Sequence, residues 1–107
     1  MESKELLPGT LEMLILKTLS RGANHGYGIA LHIQSVSSDA LKIGEGSLYP
    51  ALQRLLVNSW VQAEWGVSET NRKARIYKLT AAGRKRLAEE RRTFDAMILA
   101  IGRVMEA

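Results

Sequence analysis

Two histidines, no cysteine and 11 scattered carboxylates leave this chain little to catalyse with. His25 and His32 are seven apart, so a helix spanning both would place them on a similar side. A metal site needs more than that: no cysteine exists, and no carboxylate is placed with them. The residue type is then read as a capping or solvated histidine. Paired carboxylates, an activated nucleophile and a metal set are all missing, which excludes an enzyme and implies no cofactor. The chemistry that remains is recognition. Ser47, Tyr49, Gln53 and Arg54 are types that bond phosphates and base edges. Arg72, Lys73 and Arg75 form a cluster of cations that can lie along a nucleic-acid backbone.

The first group sits on residues 44–58, GEGSLYPALQRLLVN. Leu48, Leu52 and Leu55 recur at helical spacing and make an apolar stripe opposite the polar face. Pro50 lacks an N–H and fits best within a first turn, and Tyr49 before it is biased away from helical angles. The helix is therefore expected to start near Glu45 to Ser47, with Gly44 and Gly46 permitting a tight turn and backbone close to a phosphate. The same stretch would also serve as an ordinary amphipathic core helix. The second group sits on a hairpin. Residues 60–65 are extended, residues 66–74 are a polar loop, and residues 75–79 alternate again.

The other elements follow in order. Residues 1–7 are a polar start. Pro8, Gly9 and Thr10 signal a helix start, with Thr10 as cap and Glu12 in the first turn. That helix is apolar nearly all round, through Leu19, so it must be covered on several sides. Gly22 is its natural C-terminal residue. A second helix over residues 27–36 turns Ile29, Ile33 and Val36 to one side. Leu41 and Ile43 alternate around Lys42, which suits a short strand. Thr80 caps a last helix, in whose first turn Gly83 costs about 1 kcal/mol against alanine and so implies close packing. Leu87, Phe94 and Ile101 are spaced by sevens, with Met97, Ile98, Val104 and Met105 between them. That short heptad seam projects past a domain with no surface to receive it, and the parsimonious cover is a second copy.

A chain of 107 residues is one domain. Its net charge of +4 and pI near 9.7 favour a polyanionic partner. No apolar run is long enough to span a bilayer, and the N-terminus lacks a signal-peptide pattern. A cytoplasmic, nucleoid-associated protein with no membrane partner is expected. Helix, helix, short strand, helix, hairpin and long helix is the order of a winged helix-turn-helix. In that fold the third helix enters the major groove and the wing reaches adjacent phosphates or the minor groove. The expected class is mainly α with a small β-hairpin: residues 8–79 form the DNA-binding unit and residues 80–107 the C-terminal dimerisation helix.

Residues 9–19 (GTLEMLILKTL), 25–30 (HGYGIA), 46–55 (GSLYPALQRL), 60–66 (WVQAEWG) and 71–87 (NRKARIYKLTAAGRKRL) carry a specific resemblance. The chain resembles PadR-type transcriptional regulators, in particular the short subfamily with a single C-terminal helix, over nearly everything from residue 8 to residue 105. The resemblance implies a homodimeric repressor that binds double-stranded DNA at an inverted-repeat operator. It implies that Ser47, Leu48, Tyr49 and Tyr27 lie near DNA backbone, and that Arg72, Lys73 and Arg75 are wing-tip cations. It implies a dimer interface made by the first and last helices, in some relatives with a flat pocket for a small aromatic effector that loosens DNA binding. Phe94 stands where such relatives have a ligand-stacking tryptophan, with Met97 and Ile98 lining the same place. Leu14, Ile101 and Met105 fall in the same effector or dimer interface. Heptad spacing alone explains Phe94, Met97 and Ile98 as dimer core.

Within that frame Lys42, Ser47, Tyr49 and the wing cations set position through phosphates. Either Gln53 or Arg54 reads a base, glutamine suiting adenine and arginine guanine. The competing expectation is a winged-helix protein-interaction module without DNA binding. Acidic replacements on the wing or recognition face would mark it, and this sequence keeps cations there.

Overall fold

Leu11, Ile15, Leu16 and Leu19 recur three and four residues apart, and they draw α1 (Thr10–Leu19) into the centre of the protein. The computed structural model describes residues 9–107, so the polar start expected over residues 1–7 and Pro8 of the helix-start signal lie outside the described residues. Thr10 is not the cap. Gly9 takes that place with a φ of 83°, a left-handed angle that glycine adopts without steric cost, and no side chain caps the helix. At the other end the C-cap is Ser20, and Gly22 lies two residues beyond it, giving its N–H to Leu19 at 3.2 Å.

After α1, Asn24–His25 forms a two-residue strand β1, which leads directly into α2 (Gly26–Val36). His25 caps α2: its Nδ1 accepts the Gly28 N–H at 3.0 Å. Ile29 and Ile33 are buried as expected, whereas Val36 is exposed at the helix end. The strand expected around Lys42 does not form. Residues 41–44 are an irregular connector in which the Leu41 N–H bonds the Ser37 hydroxyl at 3.0 Å, and Leu41 and Ile43 pack against the core. The physical reason is the sheet itself, where β1 occupies the place beside the hairpin.

Helix α3 (Glu45–Val57) starts where the sequence puts it. Pro50, however, lies inside the helix rather than in its first turn, and it has no N–H to give the Gly46 carbonyl. Leu48, Leu52 and Leu55 are almost fully buried, each stabilising the fold by about 1.5–3 kcal/mol. Strands β2 (Val61–Val67) and β3 (Lys73–Leu79) pair antiparallel, from Val61 opposite Leu79 to Val67 opposite Lys73. The wing loop is thus shorter than the sequence suggests, at residues 68–72. β1 adds to β3 through Asn24 opposite Tyr77 and His25 opposite Ile76, giving a three-stranded sheet in the order β1-β3-β2.

Helix α4 (Ala81–Glu106) runs for 26 residues. The Thr80 hydroxyl accepts the Gly83 N–H at 2.9 Å, the expected cap. Gly83 is buried and Leu87 packs on the core, but beyond Phe94 the helix leaves the body. Among the described residues the architecture is four helices and a small sheet, a winged helix-turn-helix with a long C-terminal helix.

Candidate nucleic-acid interface

Alternation along the hairpin builds the site. Residues two apart on a strand share a face, so Tyr77, Arg75 and Lys73 line one side of β3. Their partners on β2 are Ala63, Trp65 and Val67. The root of this face is core: Tyr77 is buried, and burial pushes its phenol pKa up, with Arg75 pulling the other way. Further out the same face runs past the core, and Trp65, Lys73, Arg75 and Val67 are exposed.

Opposite this wall stand the start of α2 and the first half of α3. Tyr27 is exposed at the start of α2. The ring of Tyr49 lies against Gly26, where a Cβ would stand 3.0 Å from both Cε1 and Oη, so a larger residue would make the ring shift by a few tenths of an ångström. Between the two walls is a groove of about 480 Å³, lined by His25, Tyr27, Tyr49, Trp65, Lys73 and Arg75 among others. None of its lining residues is a carboxylate. Four sequence candidates, Tyr27, Tyr49, Lys73 and Arg75, therefore meet in one place. Phenolic hydroxyls and cations converging on an open groove are suited to phosphate oxygens.

The wing is held over this groove by His25. With Nδ1 accepting the cap bond, Nε2 carries the proton and donates to Glu69 Oε2 at 3.2 Å. That hydrogen bond is the main reason the Glu69 carboxyl is held below the usual carboxylate range. Lys73 Nζ sits 5.0 Å from the centre of the Trp65 ring, a cation–π contact within the wing. Arg72 lies apart, in the wing turn, where its N–H bonds Ser68 Oγ at 3.3 Å.

On α3 the candidates divide. Tyr49 and Gln53 are about 40° apart around the axis, while Arg54 is turned about 140° from Tyr49. Gln53 is exposed on the outer surface. Arg54 faces α1, where its Nη2 donates to Glu12 Oε1 at 2.6 Å. Ser47 is exposed on that same flank, and Lys42 is exposed in the connector before the helix. The Leu48 side chain is 1% exposed, inside the core as the apolar stripe predicts, and its N–H goes to the Gly44 carbonyl at 3.0 Å.

Of the seam residues, Leu14 packs against the core and Phe94 is half-buried, while Met97, Ile98, Ile101 and Met105 are exposed. Sequence reasoning missed Trp65 as a groove residue, and it missed the Glu69–His25 and Arg54–Glu12 pairs. Only Trp65 had a legible signal, its place two residues from Ala63 on the alternating face. Among the described residues, no group of histidines and carboxylates could hold a metal, and no helix is long and apolar enough to cross a membrane.

The sequence model of the Transcriptional regulator PadR-like family matches residues 15–89. The chain belongs to that family. It is similar to a transcriptional regulator of Mycobacterium tuberculosis, 34% identical over 64 residues, which are 60% of this chain and 59% of that protein. Among solved structures, a transcriptional regulator from Clostridium thermocellum superposes with a TM-score of 0.81 at 26% identity, covering 89% of this chain and 92% of that one. A PadR family transcriptional regulator from Eggerthella lenta gives 0.76 at 26% identity, over 92% and 84% of the two chains. This PadR-like protein is thus a DNA-binding transcriptional regulator, and its family and fold are those of regulators rather than enzymes.

Proposed function

We propose that the protein is a homodimeric repressor of transcription whose α3 and wing grip an inverted-repeat operator. The observation that carries the reading is the groove that brings Tyr27, Tyr49, Lys73 and Arg75 together beside the exposed face of α3. In a dimer the two α3 helices enter successive major grooves on one face of the duplex, about 34 Å apart. Phosphates are held by Tyr27, Tyr49, Lys42, Ser47, Arg72, Lys73 and Arg75, and Gln53 faces the base edges. Residues 8–79 act as the DNA-binding unit and residues 80–107 as the dimerisation helix.

The second copy is supported by α4. Met97, Ile98 and Ile101 are each about half exposed in a single chain, an apolar face that a partner helix would cover. Leu14, Phe94 and Met105 extend the same interface. A small aromatic effector wedged beside Phe94 would alter the spacing of the two α3 helices and release the operator.

Salt titration of duplex binding tests the DNA half of the proposal. Arg72→Ala/Lys73→Ala should weaken binding to all sequences and flatten the salt slope, each lost phosphate contact removing about 0.9. An unchanged slope would remove the wing from the interface. Sedimentation of Phe94→Asp tests the other half: monomers with lost operator affinity are expected, and an intact dimer refutes the seam. Release of the bound operator by small aromatic compounds tests the effector.

A further inference from the structure

Trp65 has no place in the reading so far, and it is unusual for its position. It is a large aromatic on a wing strand and is two-thirds exposed. Its strand partner is Arg75, and Lys73 lies over its ring. Val67, two residues further along the same face, is also exposed and stands opposite Lys73. The wing thus presents apolar surface flanked by two cations, beside the groove that holds Tyr27 and Tyr49.

Charge decides what such a surface fits. The groove lining has cations and no carboxylate, and the nearby acid, Glu69, is already engaged by His25. A polyanion with apolar flanks between its charges matches this pattern, which is the sugar–phosphate strand of a duplex. Deoxyribose offers C–H surface to an indole, and the phosphates on either side meet the cations. The indole N–H is a donor that can reach a phosphate oxygen.

We infer that Trp65 is itself a DNA-contact residue, packing its free surface on a deoxyribose next to the phosphate that Lys73 meets. The inference rests on the proposed DNA face and adds a residue to it. The contact is specific in kind. A tryptophan neutralises no phosphate and releases no counterion, so it strengthens binding without steepening the dependence on salt.

That difference is measurable with a random-sequence duplex as the probe. The chain has two tryptophans, so wild-type emission minus that of Trp65→Phe reports Trp65. On adding DNA, this signal should change and become protected from acrylamide. Trp65→Ala should lower affinity about tenfold, as expected for lost burial of part of an aromatic side chain, and leave the salt slope as in wild type. Lys73→Ala should flatten that slope, and Trp65→Phe should recover most of the affinity. Thermal melts by circular dichroism establish that each variant is folded. If bound DNA leaves the Trp65 emission and its quenching unchanged while Lys73→Ala still flattens the slope, the inference is wrong and the proposed face stands. If Trp65→Ala flattens the slope as much as Lys73→Ala, the ring acts only through the lysine and direct contact is refuted. If Lys73→Ala and Arg75→Ala both bind as wild type, the DNA face itself fails and Trp65 falls with it.

Discussion

The guanidinium of Arg54 on α3 lies 2.6 Å from the carboxylate of Glu12 on α1. This matters because Arg54 is one of two residues whose chemistry suits base reading, and the contact turns it away from Gln53. The pair is weak as a source of stability, since the arginine side chain is 58% exposed and solvent screens it. Its worth is about 0–1 kcal/mol. Its expected effect on binding is larger, because it occupies a cation that phosphates would otherwise attract. Glu12→Gln should leave the unfolding free energy within about 1 kcal/mol, while raising affinity for duplexes of any sequence. The salt slope should steepen by up to about 0.9, the contribution of one more phosphate. An unchanged slope would show that Arg54 stays off the backbone even when released. Gln53→Ala should behave differently, relaxing preference at one operator position at a cost of about 1–3 kcal/mol.

Gly83 joins the last helix to the wing. A Cβ there would stand 2.0 Å from the Trp60 carbonyl oxygen and 2.8 Å from Leu79 Cδ1. The obstacle is backbone, held by the Thr80 N–H bond to that same carbonyl at 3.1 Å, so it cannot step aside cheaply. Alanine would gain about 1 kcal/mol in helix propensity, but overpacking costs about 1–3 kcal/mol or more. With a backbone clash this close the upper end applies, and Gly83→Ala should lose roughly 2 kcal/mol net. Urea unfolding should show a lower midpoint, and a variant as stable as wild type would mean that α4 can shift on its bed.

Glu69 gives the wing a dependence on acid. Its carboxyl is held below the ordinary value of 4.5, chiefly by the hydrogen bond from His25. A depressed carboxyl contributes stability above its unfolded value and loses it as the pH falls through the lowered folded value. The melting temperature of wild type should therefore exceed that of Glu69→Gln by a small constant amount near neutrality. The gap should close on acidification below 4.5. A gap that is constant into strong acid would mean that the carboxylate has no part in holding the wing.

Local chemistry made much of this molecule legible. Thr80 reads as a cap because that role needs only its neighbours in the chain, and Gly83 reads as a close approach from its cost in a first turn, although the group that approaches it, the Trp60 carbonyl, comes from far back in the chain. The stripe of Leu48, Leu52 and Leu55 fixes how α3 faces the core, and all three side chains are buried there. The hairpin register, from Val61 opposite Leu79 outward, also lies within reach of alternation, and it would have set Trp65 opposite Arg75. What stayed hidden depends on distant partners. β1 exists only because Asn24 and His25 find Tyr77 and Ile76 across the fold. The connector around Lys42 alternates like a strand but finds no partner strand. Glu12 and Arg54 are 42 residues apart, and nothing in either segment announces the other.

The far half of α4 is where the single chain stops explaining itself. A helix of 26 residues is about 39 Å long, and only its first turns rest on the core through Gly83 and Leu87. Helices are marginal in water without tertiary packing, so the apolar stretch from Met97 onward needs cover to stay formed. If a second copy provides it, folding and association are one equilibrium. The melting temperature should then rise with protein concentration, because mass action stabilises the associated state. Ile101→Asp would bury a carboxylate against that partner, which favours the separated chains. We expect this variant to sediment as a monomer, to melt at a temperature independent of concentration, and to show lower helix content by circular dichroism. Duplex binding should weaken as well, since one chain can engage only one half-site. A concentration-independent melt in wild type, with Ile101→Asp unchanged in sedimentation, would mean that this helix stands alone.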